Sequence, residues 1–374
     1  MSAALSVWLD LCRVLAAAVV FVGHSRGLAV APDWIAPHWH RSADDAVIAF
    51  FVISGYVIAW SVDRPGVTVR GYAEARASRI YSVAIPAVLV ALALDHIGMR
   101  LDPTLYAVDW QYPRPWLFIP IHWLFLGGTW LGPMDPFSMA SYWSLPYEVW
   151  YYVLFGCATL LHGRARAVGI AAALAIMGPR IWLLLPCWWL GVLLYRHGAR
   201  LALARPVALA VMALAVAAYG VYAASGLRAE ADLASRAMYG TLNHWLPVPL
   251  KPGGTVHPLS DYVVALLFAA FLVGCASSRI AFGPRTAAAI RWLAGYTFSL
   301  YLVHFSLLVL FAAAGWTHVD GGRYALVIAS TLVAAWLLGQ IGEVRRDLYR
   351  RAIAWLLDRL VGPHPPRVPA SGKE

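Results

Sequence analysis

The chain has 374 residues, of which 61% are hydrophobic and only 13% are charged. Soluble domains average about 25% charged and 45–50% apolar residues. This deficit of charge excludes a soluble domain, a disordered protein, a disulfide scaffold and a coiled coil. The mean hydropathy of +0.65 indicates an all-α, polytopic membrane helical bundle, and the length suffices for about ten helices of roughly 20 residues each.

The net charge is +10, and arginine supplies almost all of the positive charge, since Lys251 and Lys373 are the only lysines. The arginines lie in short clusters between apolar runs, which is the pattern that sets membrane orientation. We therefore expect no nucleic-acid partner.

The cysteines lie in or beside apolar runs without metal-like spacing, which favours buried thiols over a disulfide framework or a zinc site. They are Cys12, Cys157, Cys187 and Cys275.

Ten apolar runs are predicted to be membrane helices. They are approximately 9–31, 46–60, 80–98, 142–161, 167–178, 181–195, 206–224, 259–276, 292–314 and 324–342. An eleventh run, 117–131, is interrupted by Pro120 and a Gly-Gly pair. If it crossed the membrane, the arginine-bearing loops 61–79 and 162–166 would lie on opposite sides, against the positive-inside rule. We therefore predict that 117–131 is re-entrant or interfacial and that both termini are cytoplasmic.

The membrane domain is predicted to cover residues 1–342, followed by a cytoplasmic tail at 343–374. Basic and apolar residues alternate over 343–360, which favours an amphipathic segment along the inner membrane surface. The polar, proline-rich end after Gly362 is expected to be disordered. The first apolar run is too long for a cleaved signal and lacks a basic region before it.

Ionisable side chains inside membrane spans are costly, so each is a functional candidate. Arg13 and His24 are eleven residues apart, which puts them on one helix face about 16.5 Å apart along the axis. Asp10 is three residues before Arg13 and can pair with it. The alternative is a snorkelling arginine and a histidine that serves packing.

Two further candidates lie in later helices. Glu148 follows Ser144 by one turn in SYWSLPYEVWYY, and His304 follows Tyr301 by three residues in FSLYLVHF. Counting residues from the helix ends puts His24, Glu148 and His304 at one depth, which predicts a polar chamber in the outer half of the membrane. The structural alternatives are a carboxylate bonded to tyrosine hydroxyls and a histidine buried in the core.

Arg76 and Arg79 begin the third span in EARASRIY. At this spacing both guanidinium groups face the same way, and such a pair suits phosphate recognition. The alternative is charge that only sets topology, because arginine is ordinary at the cytoplasmic end of a helix.

These motifs resemble the acyltransferase 3 family of membrane O-acyltransferases, over Leu9 to about Phe311. Five segments carry the resemblance, in order: LDLCRVLAAAVVFVGHS, FFVISGYVI, ARASRIY, YWSLPYEVWYY and FSLYLVHF. They match the family's Arg and His of the first helix, its second-helix signature, its Arg-x-x-Arg with a following Tyr, its Trp-Ser-Leu-x-x-Glu and its Ser-x-Tyr-Leu-x-His. Ser82 departs from a frequent proline, and Phe305–Ser306 replace a common Trp-Pro, but neither change removes a titratable group.

The resemblance implies ten helices, an acyl-CoA donor (acetyl-CoA being expected), and an acceptor hydroxyl that is usually on a glycan. It also implies the bacterial inner membrane, with the lipid bilayer as partner and no metal. With the spacing arguments, the candidate catalytic residues are His24 and Glu148, the donor-binding residues are Arg13, Arg76 and Arg79, and the supporting residues are Asp10, Ser54, Tyr81, Trp143, Ser144, Tyr301 and His304.

Histidine suits general-base catalysis because its ordinary pKa of about 6.5 is near working pH. His24 is therefore expected to deprotonate the acceptor, or else to carry the acyl group itself. Two other functions stay open: acyl transfer to a small secondary metabolite, and a secondary transporter, which also uses intramembrane His, Glu and Arg. A transporter would be expected to show a two-fold repeat, and none is visible in the sequence.

Overall fold

The computed structural model describes residues 1–107, 115–130, 132, 134–246, 250 and 257–362. These residues form helices and connecting turns, with 3₁₀ turns at Ala140–Trp143 and Gly198–Leu201. The helices are α1 Ala3–Gly27, α2 Trp39–Val62, α3 Val69–Leu101, α4 Pro103–Tyr106, α5 Pro115–Trp123, α6 Ser144–Leu160, α7 Gly163–His197, α8 Arg205–Ala224, α9 Gly226–Trp245, α10 Pro258–Ser277, α11 Pro284–Ala294, α12 Thr297–Ala313, α13 Gly321–Ile341 and α14 Arg346–Val361.

The all-α membrane architecture is confirmed, and the expected count of about ten spans is approximate. Among the described residues, seven helices are long and apolar enough to cross a membrane, or eight if α11 and α12, which meet at 47°, form one broken span. The count is lower than expected for two reasons. Helix α6 has only 17 residues, and the predicted spans 167–178 and 181–195 are the two parts of α7.

Helix α7 is divided at Gly178, whose φ is +74°. The Trp182 indole N–H donates to the Leu174 carbonyl at 3.0 Å, although residues eight apart in a straight helix are about 12 Å apart along the axis. Helix α7 is therefore kinked at Gly178, and the Trp182 side chain bridges the kink. A Cβ at Gly178 would also lie 3.1 Å from the Trp130 ring, so both backbone and packing require glycine here.

The described part of 117–131 contains no helix long enough to span, as predicted; residue 131 lies outside the described residues. Helix α5 has nine residues, about 13.5 Å at 1.5 Å per residue, less than half of a ~30 Å bilayer core. After it the chain turns, and the Trp130 indole N–H donates to the Ala175 carbonyl of α7 at 2.6 Å. This hydrogen bond attaches the end of the segment to α7.

Helices α2 and α7 pack backbone to backbone at the centre of the bundle. A Cβ at Gly55 would overlap the carbonyl oxygen of Trp188, and a Cβ at Gly191 would overlap that of Val52. Small residues permit such close approach between membrane helices. The contact brings the Trp188 indole N–H within 3.1 Å of the Ser54 hydroxyl, which fixes Ser54 inside the bundle.

The predicted amphipathic segment of the tail forms α14 and docks on α3. Arg70 Nη2 lies 2.6 Å from an Asp358 carboxylate oxygen. Arg346 Nη2 donates to the Ala75 carbonyl at 2.7 Å. The predicted disordered end, 363–374, lies outside the described residues. Large apolar side chains of α14 are exposed: Leu348, Trp355, Leu356 and Leu360.

Candidate active site

The two predicted histidines of α1 and α12 contact each other directly. Nδ1 of His24 lies 2.8 Å from Nε2 of His304. The ring planes are within 2° of parallel and the centroids are 5.1 Å apart. That separation matches one hydrogen bond plus two ring radii, so the rings meet edge to edge in a shared plane rather than stacking face to face.

A backbone carbonyl sets the protonation pattern of this pair. Nδ1 of His304 lies 3.0 Å from the Leu300 carbonyl oxygen, which can only accept, so this nitrogen carries the hydrogen. In a neutral His304 ring, Nε2 then accepts, and Nδ1 of His24 must donate to it. A neutral His24 is left with an unprotonated Nε2. We call this chain of groups, from the Leu300 carbonyl through His304 to His24, the histidine relay.

A cavity of about 80 Å³ lies on the same face of α1, toward the end where the chain begins. We call it the arginine chamber. Polar side chains from five helices line it, among them Arg13, Ser54, Arg76, Arg79, Ser144, Glu148, Tyr152 and Tyr301.

Positive charge in the arginine chamber exceeds negative charge. Arg13 pairs with Asp10 at 3.2 Å, whereas Arg76 and Arg79 form no salt bridge within the described ranges. The Nε atom of Arg76 is buried without a hydrogen-bond partner among the described residues. Glu148 is the one carboxylate among the described lining residues. Guanidinium groups with unused donors in a partly closed site suit a phosphate or carboxylate ligand.

Glu148 is held in the arginine chamber by hydroxyl groups. The Ser54 hydroxyl donates to its Oε1 at 2.6 Å, and the Tyr152 hydroxyl donates to the same oxygen. The Trp188 indole N–H in turn donates to Ser54 Oγ at 3.1 Å. These contacts orient the carboxylate toward the arginines, so it does not reach His24.

The expectation that Glu148 shares the depth of the histidines is wrong. Glu148 lies one turn beyond Ser144, whose hydroxyl is 2.8 Å from that of Tyr301, and Tyr301 lies one turn before His304. The carboxylate is therefore roughly two turns from the relay. Residue counting failed because α6 begins inside the protein, where Ser144 is buried, and not at the membrane surface.

Tyr301 joins the arginine chamber to the histidine relay. Its side chain lines the chamber, and its ring centroid lies 6.1 Å from that of His304. Its backbone carbonyl accepts from the Ser141 hydroxyl at 2.8 Å, a contact that the sequence did not indicate. The turn before α6 therefore fixes the position of α12 between the two parts of the site.

Two of the predicted supporting residues, Tyr81 and Trp143, belong neither to the arginine chamber nor to the histidine relay. The Tyr81 hydroxyl donates to the Trp123 carbonyl at 2.8 Å, which ties α3 to α5. The Trp143 ring packs edge-on against Phe51 and Tyr147, with centroids 6.2 and 5.4 Å away. Tyr81 bonds to a backbone carbonyl and Trp143 packs against other rings. Both residues therefore affect the site only by holding neighbouring helices in position.

A second cavity, of about 250 Å³, opens next to the arginine chamber at the end where α1 begins. We call it the arginine mouth. It shares Arg13, Arg79, Thr297 and Phe298 with the chamber, so the two cavities adjoin. The mouth also contains Arg291, Glu343 and Arg346, which were not predicted as site residues. The two arginines do not stand out in the sequence, because arginine is ordinary at helix ends. No residue pattern distinguished Glu343 either, since Asp347, Asp358 and Glu374 also lie within the basic tail.

Among the described residues, no group of three or more His, Cys, Asp or Glu is placed to hold a metal ion. The acyltransferase 3 family model, which describes an acyltransferase domain, matches residues 6–340. No curated protein and no solved structure matches the chain. The matched range contains the histidine relay and the arginine chamber, and it ends before Glu343 and Arg346. The chain is therefore a multi-pass membrane protein that belongs to the acyltransferase 3 family.

Proposed function

We propose that the protein is a membrane O-acyltransferase that moves an acetyl group from cytoplasmic acetyl-CoA to a hydroxyl of a cell-envelope or exported glycan. The observation that carries this proposal is the histidine relay, because it leaves an unprotonated nitrogen on His24 inside a membrane protein of an acyltransferase family. The arginine distribution supports cytoplasmic termini, and the bacterial inner membrane is proposed from the family.

The arginine mouth and the arginine chamber would receive the donor from the cytoplasm. Arg76, Arg79 and Arg13 offer guanidinium groups to its phosphates. The thioester arm would then extend along the α1 face, on which Arg13 and His24 are about 16.5 Å apart. This arrangement separates the binding of the charged nucleotide from the reaction at the thioester.

The histidine relay would act as a general base. Nε2 of His24 takes the proton of the acceptor hydroxyl while that oxygen attacks the thioester carbonyl carbon. The carbon–sulfur bond breaks, and the proton passes from His24 to the leaving sulfur, giving an ester and a free thiol. His304 holds the ring orientation and stabilises the imidazolium that forms, since its Nε2 accepts from Nδ1 of His24.

The same nitrogen could instead attack the thioester first and carry the acetyl group before the acceptor arrives. The two routes differ in one observable. Purified protein given radiolabelled acetyl-CoA without acceptor becomes labelled on His24 only in the second route, and His24→Ala removes that label.

Glu148 is proposed to bind a polar group of a substrate in the arginine chamber. Its fixed Oε1 bonds to Ser54 and Tyr152 leave the second carboxylate oxygen for an N–H or O–H of the donor arm. This placement favours substrate binding over orientation of His24, to which its hydrogen bonds do not extend.

The test compares ester-linked acetyl groups on envelope glycans of the source cell, a deletion strain, and that strain complemented with wild type or His24→Ala at equal expression. We expect one ester to disappear and to return only with wild type. Restoration by both would remove His24 as the catalyst. Esters that are identical in all strains would exclude the glycan acceptor. Solute transport that survives His24→Ala, without any acetyl transfer, would replace the proposal with a transporter.

A further inference from the structure

The elbow between α13 and α14, residues 339–346, packs tightly against the mouth. A Cβ at Gly342 would overlap the Ser82 carbonyl oxygen of α3, and a Cβ at Gly339 would lie 2.5 Å from the Tyr296 ring. Both glycines let the chain approach neighbouring elements more closely than a larger residue would. The position of the elbow is therefore built into the packing of the bundle.

Two polar side chains of the elbow are anchored at the edge of the mouth. Arg346 Nη2 donates to the Ala75 carbonyl at 2.7 Å, and its Nε lies 3.4 Å from the Ser78 hydroxyl. Glu343 Oε2 accepts from the Ser299 hydroxyl at 2.7 Å. Both side chains line the cavity. The elbow thus forms one wall of the mouth and is joined to α3 and α12.

The mouth carries more positive than negative charge. Its charged lining groups, among the described residues, are those of Arg13, Arg79, Arg291, Arg346, Asp10 and Glu343. Burial raises the pKa of Glu343 to about 7, so this carboxylate is partly neutral near neutral pH. Burial, and then repulsion by Arg79 and Arg76, lowers the pKa of Arg346 to about 10. Cations that repel each other in this way would be stabilised by a bound anion.

We infer that the elbow completes a phosphate subsite, in which Arg346 and Arg291 contact phosphates of the nucleotide end of the donor. This inference rests on the proposed function. Guanidinium groups from α1, α3, α11 and α14 converge on one cavity, and such groups bind phosphate oxygens in pairs. The family match ends at residue 340, so Arg346 contributes from outside the matched domain.

The test uses the full-length protein in lipid nanodiscs and two donors, acetyl-CoA and acetyl-pantetheine, which lacks the nucleotide. Arg346→Ala and Arg291→Ala are compared with Arg351→Ala. Arg351 lies on the same helix as Arg346 and its Nε lies near the Asp347 carbonyl, 3.4 Å away. We expect each mouth variant to weaken CoA binding in calorimetry about ten- to hundred-fold, the usual range for a lost charged hydrogen bond. Acetyl-pantetheine turnover and Arg351→Ala should stay near wild type.

Three results would overturn the subsite. The first is that the mouth variants lose turnover equally with acetyl-CoA and with acetyl-pantetheine. The second is that Arg351→Ala weakens CoA binding as much as the mouth variants do. The third is that CoA binding is unchanged in both mouth variants. Because Arg291 is exposed on α11, its variant tests the subsite even if Arg346→Ala unfolds the elbow. Calorimetry needs no turnover, so CoA binding that depends on the mouth without acetyl transfer would reject the proposed function and keep the subsite.

Discussion

Nδ1 of His24 and Nε2 of His304 are 2.8 Å apart, although 280 residues separate them in the chain. Each histidine alone has an ordinary structural explanation. The Leu300 carbonyl oxygen lies 3.0 Å from Nδ1 of His304. With this contact, the histidine pair defines which nitrogen of His24 is free to accept a proton. We therefore propose that His304 positions His24 in the reaction.

His304→Ala is expected to lower kcat by about 10²–10⁴-fold, the range for losing general-base assistance, with little change in the KM for acetyl-CoA. His304→Gln should retain more activity than His304→Ala, because an amide oxygen can accept the His24 N–H. The measurement is kcat and KM for the three proteins. Equal loss in Gln and Ala, with parallel loss of donor binding, would indicate a purely structural histidine.

Glu148→Gln is expected to reduce acetyl transfer at least tenfold if the carboxylate holds a substrate N–H or O–H, since hydrogen bonds to a charged group are worth about 1.5–3 kcal/mol. CoA binding should weaken by less than this factor, because the lost bond to the donor arm is partly offset when the arginine chamber loses its negative charge. Gln can still accept from Ser54 and Tyr152, so folding should be preserved. Full turnover in this variant would show that Glu148 has no direct part in the reaction.

Glu343 predicts a pH dependence of donor binding. Its pKa is raised to about 7 by burial, against lowering by the Ser299 hydrogen bond and by Arg79. Below this pH the carboxyl is neutral and the mouth is more positive, so the KM for acetyl-CoA should fall as pH drops from about 8 to about 6.

The control for this prediction is Glu343→Gln, which is neutral at every pH. Asp10, Arg13, Arg79, Arg291 and Arg346 share the mouth and stay in both proteins. The donor phosphate, with its second pKa of about 6, also titrates identically in both. The difference between the two pH profiles therefore reports Glu343, and profiles that superimpose would contradict the assignment.

Gly55→Ala should destabilise the protein and reduce transfer together. The added methyl would overlap the Trp188 carbonyl oxygen and push α2 away from α7, which displaces Ser54 from Glu148. We expect a loss of about 1–3 kcal/mol, the usual cost of overpacking, seen as a lower Tm in detergent. Gly220→Ala is the matched control, because no atom lies within 4 Å of the added Cβ. It should be neutral or slightly stabilising, and a Tm loss equal to that of Gly55→Ala would refute the packing argument.

The helices themselves were largely readable from the sequence. Hydropathy and arginine placement are local properties, so each of the ten predicted apolar runs overlaps a helix, and the breaks in 117–131 predict a segment that does not span. The face shared by Arg13 and His24 followed from helical geometry alone, because α1 is continuous from Ala3 to Gly27.

The pairings between helices were decided only by the tertiary structure. Three features depend on packing against distant residues, which residue counting does not describe: the helix tilts, the start of α6 within the bundle and the kink in α7 at Gly178. These features place Glu148 beside the arginines rather than beside His24. They also brought Glu343 and Arg346 to the mouth. Sequence spacing thus determined which side chains lie inside the membrane domain, and helix packing determined which of them meet.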